Sequence, residues 1–373
     1  MNILIYGGGL QGLSCGCSLY KEHNVSMVAN DLNCKRSRFF KKVYDDLLYN
    51  KDGLPSVFDK EHFDVVIPVS DMCVPFLSKY KREIEEKYAT KVAVPDYDCV
   101  YQVEDKNRFM TFCQEHDIPH PNTIALNNDN LAEAAQEIGF PALIKPDYSV
   151  GARGITRVNN LEDLKRHFPR IAKVFGSCTL QEFIDNQEYY YNVMMFRNSQ
   201  GRILASVVIK IVRMYPVKAG SSSCCVSVKN EDLTALCKDA LDKLNWVGMA
   251  DFDVLQRLDN GEYKIIEINP RVPASLRAAA ISGVNFPEII VRDAMGLTPK
   301  EYKYVTGKWM RYLGIDIMWL LKTKHLFGNT PSWWNFIGND LYYQDIYAND
   351  ASTWWTWLVE GLSKLGKRNK KLR

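Results

Sequence analysis

Four oxygen-bearing side chains, Asp251, Asp253, Glu267 and Asn269, fall on two runs of alternating residue type, 249–258 and 263–269, separated by Asp259-Asn260-Gly261. A turn of this composition between two such runs signals a β-hairpin. Loop length then sets which residues oppose one another, since a slip of one residue turns every side chain to the other face. A two-residue Asn-Gly turn would pair Asp253 with Ile268 and scatter the acids. A three-residue loop with Gly261 in the left-handed position pairs Leu258 with Glu262, Asp253 with Glu267 and Asp251 with Asn269. One face then carries Asp251, Asp253, Glu267 and Asn269, and the other Phe252, Val254, Ile266 and Ile268. Carboxylates opposed on neighbouring strands repel unless a cation lies between them. Hard oxygen ligands of this kind suit Mg²⁺, which binds through a few carboxylates plus substrate phosphates. The alternative is a solvated polar face, against which stand Arg271 immediately after and the apolar helical stretch 276–281.

A second group has the residue types of a phosphate site. Lys145 closes the apolar run Ala142-Leu143-Ile144 and is followed by Pro146 and by Ser149-Val150-Gly151-Ala152-Arg153-Gly154. A lysine at a strand end beside a small-residue turn with open backbone N–H groups can cradle phosphate, although many ordinary hairpins share that composition. Near the N-terminus, Gly7, Gly9 and Gly12 fit G-x-G-x-x-G between a strand at 2–6 and a helix at 10–21, and a second strand at 25–29 ends at Asn30-Asp31. That spacing keeps a nicotinamide dinucleotide reading open.

The elements that must position these groups change type along the chain. Strands at 2–6, 25–29, 64–69 and 91–94 alternate with helices at 10–21 and 74–88, the pattern of a parallel α/β domain of about 100 residues. A helix opens at Asp105-Lys106 and runs to Glu115. From Phe140 the pattern becomes strands joined by short turns, at 142–145, 155–158, 179–183, 189–196 and 203–212, followed by a helix over 231–244 and the acidic hairpin, which is an α+β arrangement. The stretch from Lys210 to Ser223 is expected to leave a strand as a basic, hydroxyl-rich loop. Past residue 300 the composition shifts, because seven of the eight tryptophans lie there.

Composition excludes several classes. At 373 residues, with 46% hydrophobic and 24% charged residues, the chain exceeds one ordinary domain and is neither disordered nor a multispanning membrane protein. The formal charge is +3, but Lys364, Lys367, Arg368, Lys370, Lys371 and Arg373 crowd the last ten positions. The remaining body is slightly acidic, so it is no general nucleic-acid binder. Ten cysteines without a Cys-x-x-Cys pair point to reduced thiols and a cytoplasmic location. His116 and His120 are spaced as helix neighbours, but Pro119 and Pro121 break that helix and no metal role is assigned to them. No apolar run is long enough to span a bilayer. If 352–368 is helical, Trp354, Trp355, Leu358, Leu362 and Leu365 share one face ahead of the basic cluster. Packing on the body or contact with a membrane surface would each use such a face.

The ordered set Asp105-Lys106, Ile144-Lys145-Pro146 with its Gly151/Gly154 loop, Gln181-Glu182-Phe183-Ile184, Glu188, Asp253 and Glu267-Ile268-Asn269-Pro270-Arg271 resembles the ATP-grasp superfamily. It looks nearest to the branch of the carbamoyl-phosphate synthase large subunit and D-aspartate ligase, over roughly residues 1–297. The resemblance implies a Rossmann-like N-terminal domain (1–103) that uses no dinucleotide and lines the second-substrate site. It also implies a two-lobed ATP-grasp domain with a small lid part (104–184) and a large part carrying the metal site (185–300), then a Trp-rich C-terminal extension (301–373). By the same resemblance, Lys106 and Lys145 contact the nucleotide phosphates and Ser149, Gly151 and Gly154 belong to a mobile loop over them. Gln181, Glu182, Phe183 and Ile184 form the hinge that reads adenine, and Glu188 binds the ribose. Asp253, Glu267 and Asn269 hold two Mg²⁺ ions, with Mn²⁺ as an alternative, and Arg271 faces the transferring phosphoryl group. A basic loop near the acceptor in related ligases makes Lys210, Arg213 and Lys218 candidates for binding an acidic substrate. Two departures from the family pattern stand out: a lid loop poor in glycine, and Asn192 where an acid is common. The implied activity is ATP-dependent ligation of a small carboxylate to an amine, in a monomer or homodimer. An ATP-binding module without ligation and an NAD-dependent oxidoreductase are the alternatives.

Overall fold

A computed structural model describes residues 1–29, 32–45, 53–149, 153–186, 189–217, 220–323, 327–328 and 330–352. The short apolar runs of the first hundred residues form β1 (Asn2–Tyr6), β2 (Asn24–Val28), β3 (Lys42–Tyr44), β4 (Val65–Pro68) and β5 (Lys91–Val92). They pair in parallel in the order β3-β2-β1-β4-β5. Strands apolar on both faces need cover on both sides. Ile3, Ile5, Val65 and Ile67 bury against one core, which includes Leu13, Cys15 and Leu19 of helix Gly9–Leu19, while Leu4, Tyr6, Val28 and Val66 bury against another. The helix expected over 74–88 is two, Cys73–Lys79 and Lys81–Tyr88, broken at Tyr80 where no Gly or Pro marks a break. Leu77 of the first and Ile84 of the second both reach the same core.

A four-stranded antiparallel sheet follows: β6 (Thr123–Leu126), β7 (Ala142–Pro146), β8 (Thr156–Val158) and β9 (Cys178–Glu182), in the order β6-β9-β7-β8. Helices Leu131–Ile138 and Leu161–Phe175 cover its apolar side through Leu131, Ala134, Leu164, Phe168 and Ile171. The chain then enters a seven-stranded sheet, β10 (Tyr190–Arg197), β11 (Ile203–Tyr215), β12 (Ser221–Val228), β13 (Gly248–Gln256), β14 (Tyr263–Asn269), β15 (Trp309–Arg311) and β16 (Leu341–Tyr343). Its order is β14-β13-β10-β11-β12-β15-β16, antiparallel except for the last pair. Residues past 300 thus supply two strands of this sheet.

The expected loop over 210–223 is instead a β-hairpin, because β11 continues to Tyr215 and β12 resumes at Ser221. The polar residues of that stretch are spent on ladder positions and on buried partners. One face of the large sheet, with Tyr191, Val193, Val208, Phe252, Val254, Ile265 and Ile268, packs on helices Lys106–Glu115 and Glu231–Lys243. The other face, through Met194, Val207 and Ile209, joins helices Leu276–Ile281 and Phe286–Ala294 and the first sheet in one core.

Candidate active site

Asp253 lies opposite Glu267 and Asp251 opposite Asn269, the register expected from the hairpin. It arises differently. The turn is one residue longer than expected: the Arg257 N–H donates to Glu262 O (2.9 Å), the Gly261 N–H donates to Arg257 O (3.1 Å), and Gly261 has φ 75°. Alone, that loop would place Asp253 opposite Ile266, but a bulge between Asp253 and Val254 shifts the pairing back by one. A bulge restores the acids to one face and exchanges an isoleucine. Ile265, not the expected Ile266, is the fully buried core residue beside Val254.

On the next strand, Asn192 faces Asp253 and donates from Nδ2 to its Oδ1 (2.6 Å), while its own Oδ1 accepts from Ser275 Oγ (2.5 Å). Arg271 donates from Nη2 to Asn269 Oδ1 (3.2 Å) and from Nε to Asp71 Oδ1 (2.5 Å), reaching the end of β4. Burial raises the pKa of Asp251 and Asp253, and repulsion from Asp253 and from Glu267, respectively, raises each further. Asp251 is buried, and among the described residues its Oδ1 has no hydrogen-bond partner. Desolvated, mutually repelling carboxylates beside an amide oxygen have the donor set for a hard divalent cation, so these residues fit Mg²⁺. Among the described residues, Glu22, His23 and Glu288 also gather their ligand atoms within 4.8 Å of one another. Lys300 already bridges Glu22 (2.5 Å) and Glu288 (3.3 Å), so the protein's own ammonium serves that cluster.

From the small sheet, β7 delivers Lys145. Its ammonium is buried, and desolvation lowers its pKa to about 8; Glu267 and Asp253 pull it up while Lys106 pushes it down. Lys145 therefore sits within the field of acids belonging to the other sheet. Lys106 opens helix Lys106–Glu115 behind the cap Asp105, whose side chain accepts from Arg108 N (2.8 Å), and its Nζ donates to Ser149 O (3.0 Å). In the turn that follows β7, Asp147 Oδ1 and Ser149 Oγ are buried without partners among the described residues. Gly154 has φ 79°, and a β-carbon there would lie 2.7 Å from Pro146 Cγ and 2.8 Å from Phe175 Cε2. Only glycine lets the loop close back on this strand.

Gln181 and Glu182 end β9, and Glu182 links the two sheets. Gln181 is buried and donates from Nε2 to Thr123 Oγ1 (2.9 Å), while Glu182 pairs with Arg257 of the large sheet. Phe183 and Ile184 lie beyond the β9 ladder, with the Arg157 guanidinium 4.2 Å from the Phe183 ring.

Two expected substrate contacts are separated from this group. Lys210 pairs with Tyr191, itself opposite Val254, so it lies on the face of the large sheet away from Asp253, with its Nζ 3.8 Å from the Tyr189 ring centroid. Strand alternation leaves no choice of side once β11 extends through that position. Arg213 is buried, donating from Nε and Nη2 to Asp316 (2.8 and 3.0 Å) and from Nη1 to Pro331 O (2.8 Å). It is committed to the segment past residue 300 and does not line the acidic face. Asp31, Gly151, Glu188, Lys218 and the tail from 353 lie outside the described residues.

Two participants escape a reading based on spacing: Ser275 locks Asn192, and Tyr190 stands in the field of Asp253, Asp251 and Glu267. Asp71, in the run 67–71 at the carboxyl edge of the first sheet, holds Arg271 across 200 residues of sequence. Burial, then those charges, raise the Tyr190 pKa. The alternation Tyr190-Asn192-Met194 could have signalled Tyr190; nothing local marks Ser275.

Residues 103–275 match the ATP-grasp domain family. The chain is 27% identical over 234 residues to the C-terminal section of the carbamoyl phosphate synthase large chain of Methanopyrus kandleri, covering 57% of this chain and 43% of that one. It is 24% identical over 252 residues to D-aspartate ligase of Enterococcus faecium, covering 63% and 59%. The chain spans about half the length of these curated relatives. In fold it is similar to the biotin carboxylase domain dimer of Hydrogenobacter thermophilus 2-oxoglutarate carboxylase, solved with MgADP, ADP and bicarbonate, with a TM-score of 0.66, 16% identity, and 83% and 73% of the two chains covered. A mixed α/β chain that brings a buried lysine to a paired-acid hairpin thus carries an ATP-grasp domain over residues 103–275.

Proposed function

We propose that this protein is an ATP- and Mg²⁺-dependent carboxylate–amine ligase. The observation that carries the proposal is the meeting of Lys145 from the small sheet with Asp253 and Glu267 from the large one, a cation and two acids whose charges act on one another. A site of that make-up can hold a polyphosphate between lysines and metal-bound carboxylates. Lys106 and Lys145 bind the phosphates, and the loop carrying Ser149, Gly151 and Gly154 closes over them. The backbone of the 181–184 hinge reads the adenine, with Glu188 on the ribose. Asp253, Glu267 and Asn269 hold the metal, two Mg²⁺ ions or Mn²⁺, which when bound neutralises charge on the phosphates. Arg271 faces the transferring group. A substrate carboxylate oxygen attacks the γ-phosphorus as the bond to ADP breaks, and an amine then displaces phosphate from the acyl phosphate to form the amide. This chain's residues position and neutralise, and none forms a covalent bond to substrate.

We further infer a division into a Rossmann-like domain (1–103), a lid (104–184), a metal-bearing lobe (185–300) and a C-terminal part (301–373). A weak membrane-surface contact through that last part is supported by exposed Leu321, Phe327, Trp334 and Ile337 ahead of the basic tail. Among the described residues no helix is long and apolar enough to cross a bilayer. Sedimentation with anionic vesicles, with and without residues 353–373, tests the contact, and sedimentation velocity tests a homodimer.

The activity is tested by phosphate release from MgATP over a panel of small carboxylic acids and amines, beside thermal shifts with ATP and with NAD. The proposal expects an ATP shift and amine-dependent phosphate release that Glu267→Ala abolishes. Near-normal ATP consumption by Glu267→Ala, or a shift with NAD alone, would overturn it.

A further inference from the structure

Arg271, its side chain 12% exposed, is a cation with five N–H donors in a planar fork. Among the described residues it spends Nε on Asp71 Oδ1 (2.5 Å), one Nη2 donor on Asn269 Oδ1 (3.2 Å) and one Nη1 donor on Val272 O (3.4 Å). The Asn269 and Val272 acceptors are its own chain neighbours. Asp71 is the acceptor from outside this hairpin, and it is a charged one. It follows β4 in a turn closed by Cys73 N–H to Ser70 O (3.1 Å) and Ser70 Oγ to Cys73 Sγ (2.8 Å). The β1 turn packs on the same place: Gly7 has φ 115°, and a β-carbon there would lie 3.1 Å from Val69 Cγ2 and 3.4 Å from Ser70 Oγ. Asp71 is thus held by the first sheet, while Arg271 belongs to the acidic hairpin of the third.

From this geometry we infer that Asp71 is a positioning residue for the reaction, the group through which the first sheet aims the Arg271 guanidinium at the acidic face. A carboxylate on Nε fixes the plane of the fork and leaves one Nη1 and one Nη2 donor for an anion. It also supplies the largest countercharge on Arg271, ahead of Asp251 and Glu267. A neutral side chain at position 71 would leave Arg271 in place but free to turn about its last torsions, and an aimed donor matters more to the transition state than to nucleotide binding.

The inference rests on the ligase reading for its kinetic arm only. Full-length protein labelled with ¹⁵N-arginine, with Arg271→Lys to assign the signal, reports the Arg271 Nε–H directly. The expected result is a protected Nε–H in the wild type, lost in Asp71→Asn and restored in Asp71→Glu. In phosphate release from MgATP with the acid and amine found above, Asp71→Asn should lower kcat roughly 10–100-fold, leave the KM for ATP nearly unchanged, and be rescued in part by Asp71→Glu. An Arg271 Nε–H equally protected in Asp71→Asn, or an Asp71→Glu no better than Asp71→Asn in both measurements, overturns the inference. If the wild type turns over no acid–amine pair, the ligase reading fails, and the Nε–H signal still decides whether Asp71 positions Arg271.

Discussion

Asp316 is the residue on which the strongest stability prediction rests. Its carboxylate is fully buried and receives Arg213 Nε (2.8 Å) and Nη2 (3.0 Å), Arg311 Nε (2.9 Å) and Ser223 Oγ (3.0 Å), with Arg311 Nη2 at 2.7 Å as a close ion pair. One carboxylate therefore serves two guanidiniums that are themselves buried. Asp316→Asn keeps the shape but leaves two like charges out of water without a counterion. Breaking one buried pair by removing a partner costs about 3–5 kcal/mol, and this site loses two pairs at once, so the upper part of that range is expected. Arg213→Met should cost less, because Arg311 still satisfies Asp316. The triple change Arg213→Met, Arg311→Met, Asp316→Leu should recover most of the loss, since an apolar replacement of a buried charge cluster is often neutral. Urea unfolding followed by tryptophan fluorescence is a local probe, with Trp319 and Trp333 rings 5.2 and 5.4 Å from the Arg213 and Arg311 guanidinium carbons. A loss below about 1 kcal/mol for Asp316→Asn would refute the buried-charge reasoning. An Arg213→Met enzyme of wild-type stability that had lost turnover would return Arg213 to the substrate site.

Glu267→Gln and Asp253→Asn should each remove at least about tenfold of the Mg²⁺-dependent part of ATP affinity, measured by calorimetry with and without the metal; affinity equally metal-dependent in both variants would rule out that ligand set. Gly154→Ala forces a left-handed conformation and a contact with Pro146 and Phe175, for a cost of about 1–3 kcal/mol and a smaller thermal shift with ATP; an unchanged melt would show that the loop has room. Asp345 is buried facing the backbone N–H groups of Leu313 and Gly314 without closing a hydrogen bond of normal geometry, and burial raises its pKa from 3.8 to about 6. A raised carboxyl stabilises the fold fully below about pH 3.8 and loses that contribution as pH rises through about 6. Asp345→Asn should therefore match the wild type near pH 4 and exceed it by up to about 3 kcal/mol near pH 7.5. Equal melting curves for the two proteins at both pH values would contradict the assignment.

Period-two alternation is a local property, and it is why the sequence assigns Asp251, Asp253, Glu267 and Asn269 to one face. The lysine ending its apolar strand and four of the five strands of the first sheet were legible for the same reason, being patterns within one element; the three-residue β3 was not. The register, however, came out right through two departures that cancel: a turn one residue longer than expected and a bulge. Neither is written in the residues of the turn. Lys210 and Arg213 show the limit more plainly. Composition alone marked them as cations near a turn, but the face a side chain takes depends on where the strand ends, and β11 runs on to Tyr215. The partner that claims Arg213 stands 103 positions away, and the acid that holds Arg271 stands 200 away. What the amino-acid order determined unaided was the list of chemical groups and, within a single strand, which of them share a face. Which cations meet which acids was decided by packing three sheets together, because a buried charge takes whichever counterion the assembled core brings within hydrogen-bonding distance.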